Sequence, residues 1–91
     1  MAVMTYMKVS KIEVLQEIAA GIEADIFGYM TRNSIPHDSS EPLQVLADTV
    51  DEIHRTFTVQ EYFSDDKLNE IQTNLVFIRR YIDRVIENEG R

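Results

Sequence analysis

Apolar residues recur at spacings of three and four in three separate stretches of this sequence, and no other feature restricts the fold as strongly. The three sets are Ile12, Leu15, Ala19, Ile22, Ile26 and Tyr29; Leu43, Leu46, Val50, Ile53 and Phe57; and Leu68, Ile71, Leu75, Ile78, Ile82 and Val85. This spacing places each set on one face of an α-helix, at the a and d positions of a heptad. Three such faces around a common axis predict an all-α, three-helix antiparallel bundle.

Polar residues indicate where the first two helices begin and end. Ser10 and Glu13 stand at the spacing of a capping box, so we expect the first helix to begin near Ser10. Turn residues and prolines that follow Asn33 should end it. Ser39 or Ser40 is expected to cap the second helix, just before a proline that the first turn tolerates.

The third helix should begin at Ser64, which two acidic residues follow, and end at Gly90. Expected lengths of about 23, 16 and 24 residues give a long-short-long bundle. Thr58 to Glu61 has the spacing of another capping box. The segment 58–63 is therefore predicted to form a short extra helical turn or a bent connection.

A chain of 91 residues suits one domain, which we assign to residues 10–91. Residues 1–9 are expected to be an N-terminal extension, disordered or foreign to the natural protein, because methionines at positions 1, 4 and 7 offer several starts. The absence of cysteine excludes a disulfide framework and fits a cytoplasmic protein. No apolar run approaches the roughly 20 residues of a membrane span, so no membrane partner is predicted.

The net charge of −7 is concentrated in the middle of the chain. Residues 38–70 hold nine acids and two bases, a balance that argues against direct binding of nucleic acid. The acids Asp48, Asp51 and Glu52 could keep the protein soluble, contact a basic protein or imitate the phosphates of a nucleic acid. Composition leaves these alternatives open.

Helices 1 and 3 carry more apolar surface than the core of one small bundle can bury. The residues beyond the core stripes that we predict to line a homodimer interface are Val14, Ile18, Gly21, Gly28, Phe77 and Tyr81. Two-fold dimers are the commonest assembly of small proteins, and the glycines would let a neighbour approach closely. Alternatively, Phe77 and Tyr81 pack under segment 58–63 of their own chain, Gly28 marks an early helix end, and Gly21 is merely tolerated.

Candidate contacts for a protein partner combine aromatic and charged residues. We predict that these are Asp48, Asp51, Glu52, Tyr62, Phe63, Arg79, Arg80 and Arg84. Aromatic and arginine side chains are frequent at binding hot spots. Tyr62 and Phe63 could equally close the end of the bundle, and the arginines could pair with Asp83, Glu87 or Glu23.

No set of residues suited to catalysis is found. Asp51 and His54 lie at a spacing that can bind metal, but the motif occurs once, and no acid occupies a core position. His37 lies among turn residues, and no glycine-rich phosphate loop is present. We therefore predict no catalytic residue, metal or cofactor, and a protein that is not an enzyme.

The segment from Pro42 to Ile78, with the entry YFSDDKLNEIQTNL into the last helix, resembles bacteriocin immunity proteins. The resemblance implies a small helical bundle that neutralises another protein. Those proteins have four helices and usually a basic balance, whereas this chain shows three and is acidic.

These observations predict a small acidic regulatory, adaptor or inhibitor protein that acts by binding another protein through helical faces. The first alternative is an acidic mimic that blocks a nucleic-acid-binding protein. A second alternative is a bundle of the immunity type.

Overall fold

A computed structural model of the chain describes the backbone of residues 2–60 and 62–89 and the side chains of residues 10–60 and 62–89. Three helices account for most of these residues: α1 (Ala2–Arg32), α2 (Pro42–Val59) and α3 (Asp65–Glu87). No strand occurs in the part of the chain so described. The predicted all-α, three-helix bundle is confirmed, with lengths of 31, 18 and 23 residues in the predicted order.

The first helix begins earlier than predicted. Ser10 lies inside α1, which already runs from Ala2, so the predicted start at Ser10 is wrong. The preceding residues contain no glycine or proline, and a helix propagates through such residues at little cost. The division into an extension of residues 1–9 and a domain stays a prediction.

The start of α2 also differs from the expectation. Asp38 accepts hydrogen bonds from the backbone N–H and the hydroxyl of Ser40, and these bonds lower the pKa of its carboxyl. The N-cap is Glu41, whose carboxylate accepts from the N–H of Leu43 at 3.4 Å. Capping by Ser39 or Ser40 is therefore wrong, because Ser40 is engaged in the turn before the helix.

The start of α3 is as predicted. Ser64 is the N-cap, and its hydroxyl accepts from the N–H of Lys67 at 3.1 Å. The predicted helical turn at 58–63 does not form in the residues described there, because α2 continues to Val59 and Gln60 is extended. Glu61 lies outside the described residues, as does Gly90, the predicted end of α3.

The core is apolar and draws on all three helices. Its buried members are Leu15, Ala19, Ile22, Ile26, Met30, Leu43, Ala47, Val50, Phe57, Phe63, Leu68, Ile71, Leu75 and Ile82. Most belong to the predicted stripes. Met30, Ala47 and Phe63 were not included in those stripes, but they are buried in the same core cluster.

Helix α1 is the centre of the bundle, since it makes most of the contacts between helices, and α2 and α3 touch each other little. Lys11 donates to Asn69 at 2.8 Å near one end, and Arg32 pairs with Glu89 at 2.9 Å near the other. Helices α1 and α3 therefore run parallel, with α2 antiparallel to both. This arrangement leaves a groove between α2 and α3.

Candidate partner-binding surfaces

An apolar groove lies between α2 and α3. Leu46 of α2 and three residues of α3, Phe77, Ile78 and Tyr81, line it and enclose about 310 Å³. We call it the α2–α3 groove. Phe77 is 65% exposed and Tyr81 is 51% exposed, whereas Leu46 and Ile78 are partly buried against the core. The alternative that both aromatic rings pack under segment 58–63 is therefore wrong.

Two arginines border this groove. Arg80 and Arg84 join Phe77 and Tyr81 around a neighbouring depression of about 280 Å³. Both arginines are exposed, and neither forms an ion pair with any residue in the described part of the chain. They stand one helical turn apart, where like charges repel.

Arg79 behaves differently from these two arginines. Its guanidinium donates to Asp25 of α1 at 2.6 Å and to Asp83, one turn along α3, from Nε at 3.0 Å. Partial burial opposes its charge, but the hydrogen bonds to Asp83 and Asp25 outweigh this and raise the pKa of Arg79. The predicted pairing with Asp83 is present, and Arg79 is occupied in joining α3 to α1.

The six predicted interface residues fall on two surfaces. Phe77 and Tyr81 lie on the flank of α3 that faces α2. Val14 and Ile18 share a flank of α1 with Asp25, since helical geometry brings residues four and eleven positions apart to one side. Asp25 holds Arg79 on the opposite flank of α3, so the two sets lie on different sides of the bundle.

The exposed side of α1 includes two small residues, Gly21 and Ala24. We call Val14, Glu17, Gly21 and Ala24 the outer α1 face, and all four are exposed. Val14 is 53% exposed, while Ile18 packs partly against the core. A Cβ at Gly21 would meet no atom within 4 Å, and one at Gly28 would approach the tip of the Arg32 side chain at 3.2 Å. Gly28 does not end the helix, which continues to Arg32.

The predicted acidic contact lies on α2. Asp48, Asp51, Glu52 and Arg55 line a depression of about 340 Å³, which we call the acidic face. Asp51 pairs with Arg55 at 2.9 Å. Asp48 accepts a hydrogen bond from Gln44 at 2.8 Å. Two of the three predicted acids therefore already have partners in their own helix.

Glu23 of α1 joins Asp51 and His54 at the seam with α2, a contact that sequence reasoning missed. Donor atoms of the three residues lie within 4.8 Å of one another, and Glu23 Oε1 is 4.0 Å from His54 Nδ1. Three such donors could hold a divalent cation. Burial, and then the charge of Asp51, raise the pKa of Glu23, against the opposing influence of His54 and Arg55.

Glu23 Oε1 is buried and has no hydrogen-bond partner. The sequence-based pairing of Glu23 with an arginine of α3 is wrong, because this side chain points to α2. The sequence did contain one indication of this contact: Glu23 directly follows the core residue Ile22 and therefore lies at the edge of the buried stripe.

The neighbouring aromatic residues Tyr62 and Phe63 have different environments. Tyr62 is 70% exposed, whereas Phe63 is 4% exposed and packs on Phe57 with ring centroids 5.2 Å apart. Phe63 therefore closes the end of the bundle, the alternative role that the sequence left open for it. His37 stacks on Phe27 at 5.5 Å, which gives this loop residue a packing role.

The bundle and its surfaces define a class: a small helical protein whose exposed features are an apolar groove and two charged regions. None of the described helices has both the length and the hydrophobicity to cross a bilayer. Residues 4–85 match the model of the family described as bacterial epsilon antitoxin. This match covers most of the chain and all three helices, and the chain belongs to that family.

Comparison with curated proteins finds no match, and comparison with solved structures finds none either. Family membership confirms the coarser part of the sequence prediction, a small regulatory protein that inhibits by binding another protein. Antitoxin membership does not support the resemblance to bacteriocin immunity proteins.

Proposed function

We propose that this chain binds a protein toxin and inhibits it by direct contact, without catalysing a reaction. The match of residues 4–85 to the epsilon antitoxin family carries this proposal, because the match covers nearly all of the bundle. The exposed aromatic residues of the α2–α3 groove support it, since soluble proteins rarely leave such patches without a use. A cytoplasmic location, suggested by the sequence without cysteine, is part of the same proposal.

The test begins with a host protein whose expression arrests growth. Coexpression of the chain should restore growth, and the two proteins should elute together from a sizing column as one complex. Leu75→Asp places a charge in the core and serves as the unfolded control, which should restore nothing. A toxin that stays fully active with a molar excess of the folded chain would contradict the proposal.

The alternative of an acidic nucleic-acid mimic has less support. Such a mimic presents its carboxylates to the partner, yet Asp51 pairs with Arg55 and Asp48 bonds to Gln44. We therefore place inhibition away from the acidic face.

We also propose that two copies associate, and that the outer α1 face is the contact. Glycine inside a helix costs about 1 kcal/mol against alanine, and nothing in the described part of the chain approaches Gly21 closely enough to require it. A second helix packed at that position would use the missing Cβ. The exposed Val14, two turns earlier on the same face, would add apolar contact.

Sedimentation experiments test this dimer. Gly21→Leu should convert dimer to monomer, because the new side chain prevents the close approach. Ala20→Leu adds the same bulk at a neighbouring exposed position and is the matched control. Phe77→Glu should leave the dimer intact, and a monomeric wild type at high concentration would refute the proposed assembly.

A further inference from the structure

We propose that Glu23, Asp51 and His54 form a binding site for a divalent transition-metal ion of the Zn²⁺ type, at the seam between α1 and α2. Each residue contributes one donor atom, and the three atoms lie within 4.8 Å of one another. No other group of three potential metal ligands comes as close among the described residues. The sequence showed only the Asp51–His54 pair, because Glu23 belongs to a different helix.

The distances in this cluster suit a small ion. Glu23 Oε1 and His54 Nδ1 are 4.0 Å apart. Zinc binds carboxylate oxygen and imidazole nitrogen at about 2.0–2.2 Å, so two ligands of a tetrahedral ion lie roughly 3.4 Å apart. Asp51 and His54 are three positions apart on α2, where side chains share one face. All three residues are partly exposed, so small side-chain rotations can bring the donors to bonding distance.

The carboxylate of Glu23 lacks the partner that a buried polar group normally has. Its Oε1 atom is buried and accepts no hydrogen bond from any described residue. Such an oxygen costs free energy, because it has lost its water and gained nothing in return. Burial, and then the charge of Asp51, raise the pKa of Glu23. A cation between the two carboxylates would supply the missing partner and offset their repulsion.

The neighbouring Arg55 leaves room for an ion. Its guanidinium pairs with Asp51 Oδ2 at 2.9 Å, but a carboxylate has two oxygens and can accept from Arg55 while it binds a metal. The side chain of Arg55 is also 77% exposed and can turn outward. Asp51 lines the depression of the acidic face, which gives an ion a path from solvent and space for water ligands.

The donor set defines the class of ion. Imidazole nitrogen suits Zn²⁺ and the neighbouring transition metals, whereas Mg²⁺ and Ca²⁺ prefer sites made of oxygen ligands. Three protein ligands leave at least one position for water. The bound ion would join α1 to α2. It should therefore stabilise the fold, since the unfolded chain does not hold the three residues together.

The test is titration of the full chain, first freed of metal by a chelator, with zinc sulfate in a calorimeter at neutral pH. One ion should bind per chain. Glu23→Gln, Asp51→Asn and His54→Gln should each weaken binding at least about tenfold, because even residues that only orient metal ligands contribute about 10- to 100-fold. Magnesium chloride should bind far more weakly, and equal affinity for Mg²⁺ and Zn²⁺ would overturn the proposal.

Two matched variants leave the cluster intact. Glu52→Gln removes the same charge as Glu23→Gln from an exposed neighbouring position, and His37→Gln removes the other histidine of the chain. Both should bind zinc like wild type. Circular dichroism of every variant separates a lost ligand from a lost fold.

Two measurements on the wild-type chain locate the ion and its effect. Zinc should shift the imidazole resonances of His54 and leave those of His37 unchanged in nuclear magnetic resonance spectra. The thermal midpoint of unfolding should rise with zinc concentration, and this rise should be smaller for Glu23→Gln. Absence of binding, equal binding by the three ligand variants, or a resonance shift confined to His37 would each overturn the proposal.

Discussion

The acidic face of α2 and the α2–α3 groove both carry charged residues. Most of those on the acidic face have partners within the chain, whereas those beside the groove have none among the described residues. On the acidic face Asp51 pairs with Arg55, and Asp48 accepts a hydrogen bond from Gln44. At the groove, Arg80 and Arg84 lack such partners in the described chain and stand beside exposed aromatic rings. A surface that satisfies its own charges gains little from a partner, whereas an unpaired cation beside apolar surface gains both an ion pair and burial.

The comparison shows that net charge alone is a poor guide to a binding surface. The excess of acids in residues 38–70 led to the prediction that α2 contacts a partner. The arginines of α3 are more informative. Arg79 forms ion pairs within the chain, whereas Arg80 and Arg84 form none with the described residues.

The largest expected effect separates the buried core side of α3 from the exposed rings of the groove. Leu75→Ala should lower the free energy of unfolding by about 2–5 kcal/mol, because it opens a cavity in a fully buried site. Phe77→Ala should change it by no more than about 0.5 kcal/mol, as is usual for exposed positions. Urea unfolding of both variants provides the measurement, and a comparable loss for Phe77→Ala would show that the ring supports the fold.

An intermediate effect concerns Glu23, beneath the acidic face. Burial raises its pKa in the folded chain above the ordinary value of 4.5, so the folded state binds this proton more tightly than the unfolded state. Wild-type stability should therefore fall as pH rises from 4.5 through the folded pKa, where the buried carboxylate ionises.

The control for that pH dependence is Glu23→Gln, which cannot ionise. Unfolding by urea at a series of pH values should show a smaller slope for the variant over the same window. Equal slopes for wild type and variant would mean that another carboxyl group causes the change. The difference should be smaller than the effect of Leu75→Ala, because His54 and Arg55 partly offset the charge of Glu23.

The smallest effect is expected on the acidic face itself. Exchange of Asp48, Asp51 and Glu52 for their amides removes three negative charges from one surface. Exposed ion pairs contribute at most about 1 kcal/mol, so stability should change little. Toxin affinity should stay within about threefold of wild type by calorimetry, whereas a mimic of nucleic acid would lose its inhibitory activity.

Much of the fold follows from the sequence because helical periodicity is a local signal. Leu15, Ala19 and Ile22 follow one another at spacings of four and three, which place them on one face of a helix, and Ser64 caps α3 through a contact three residues away. Ser10 shows the limit of such signals. Ser10 and Glu13 have the spacing of a capping box, but Ser10 lies inside a helix that begins earlier, where no cap is needed.

The surfaces depend on how the helices are rotated about each other, which the sequence does not specify. Tyr62 and Phe63 are neighbours of similar character, yet Tyr62 is 70% exposed, whereas Phe63 packs on the ring of Phe57. Phe77 and Val14 looked alike as surplus apolar residues, but α3 turns Phe77 towards α2. Glu23 meets His54 for the same reason, because packing decides which flank of α1 faces α2.

The unequal attachment of α2 and α3 to the central helix has a mechanical consequence. Side-chain bonds tie α3 to α1 near both ends, through Asn69 and through Glu89, whose pKa is lowered by its hydrogen bonds to Arg32 and Asn33. Helix α2 makes few contacts with α3 and packs against α1 mainly through apolar residues. The two sides of the groove are thus held by different forces, α3 by polar bonds as well as packing and α2 mainly by packing, so added salt should loosen α3 before α2.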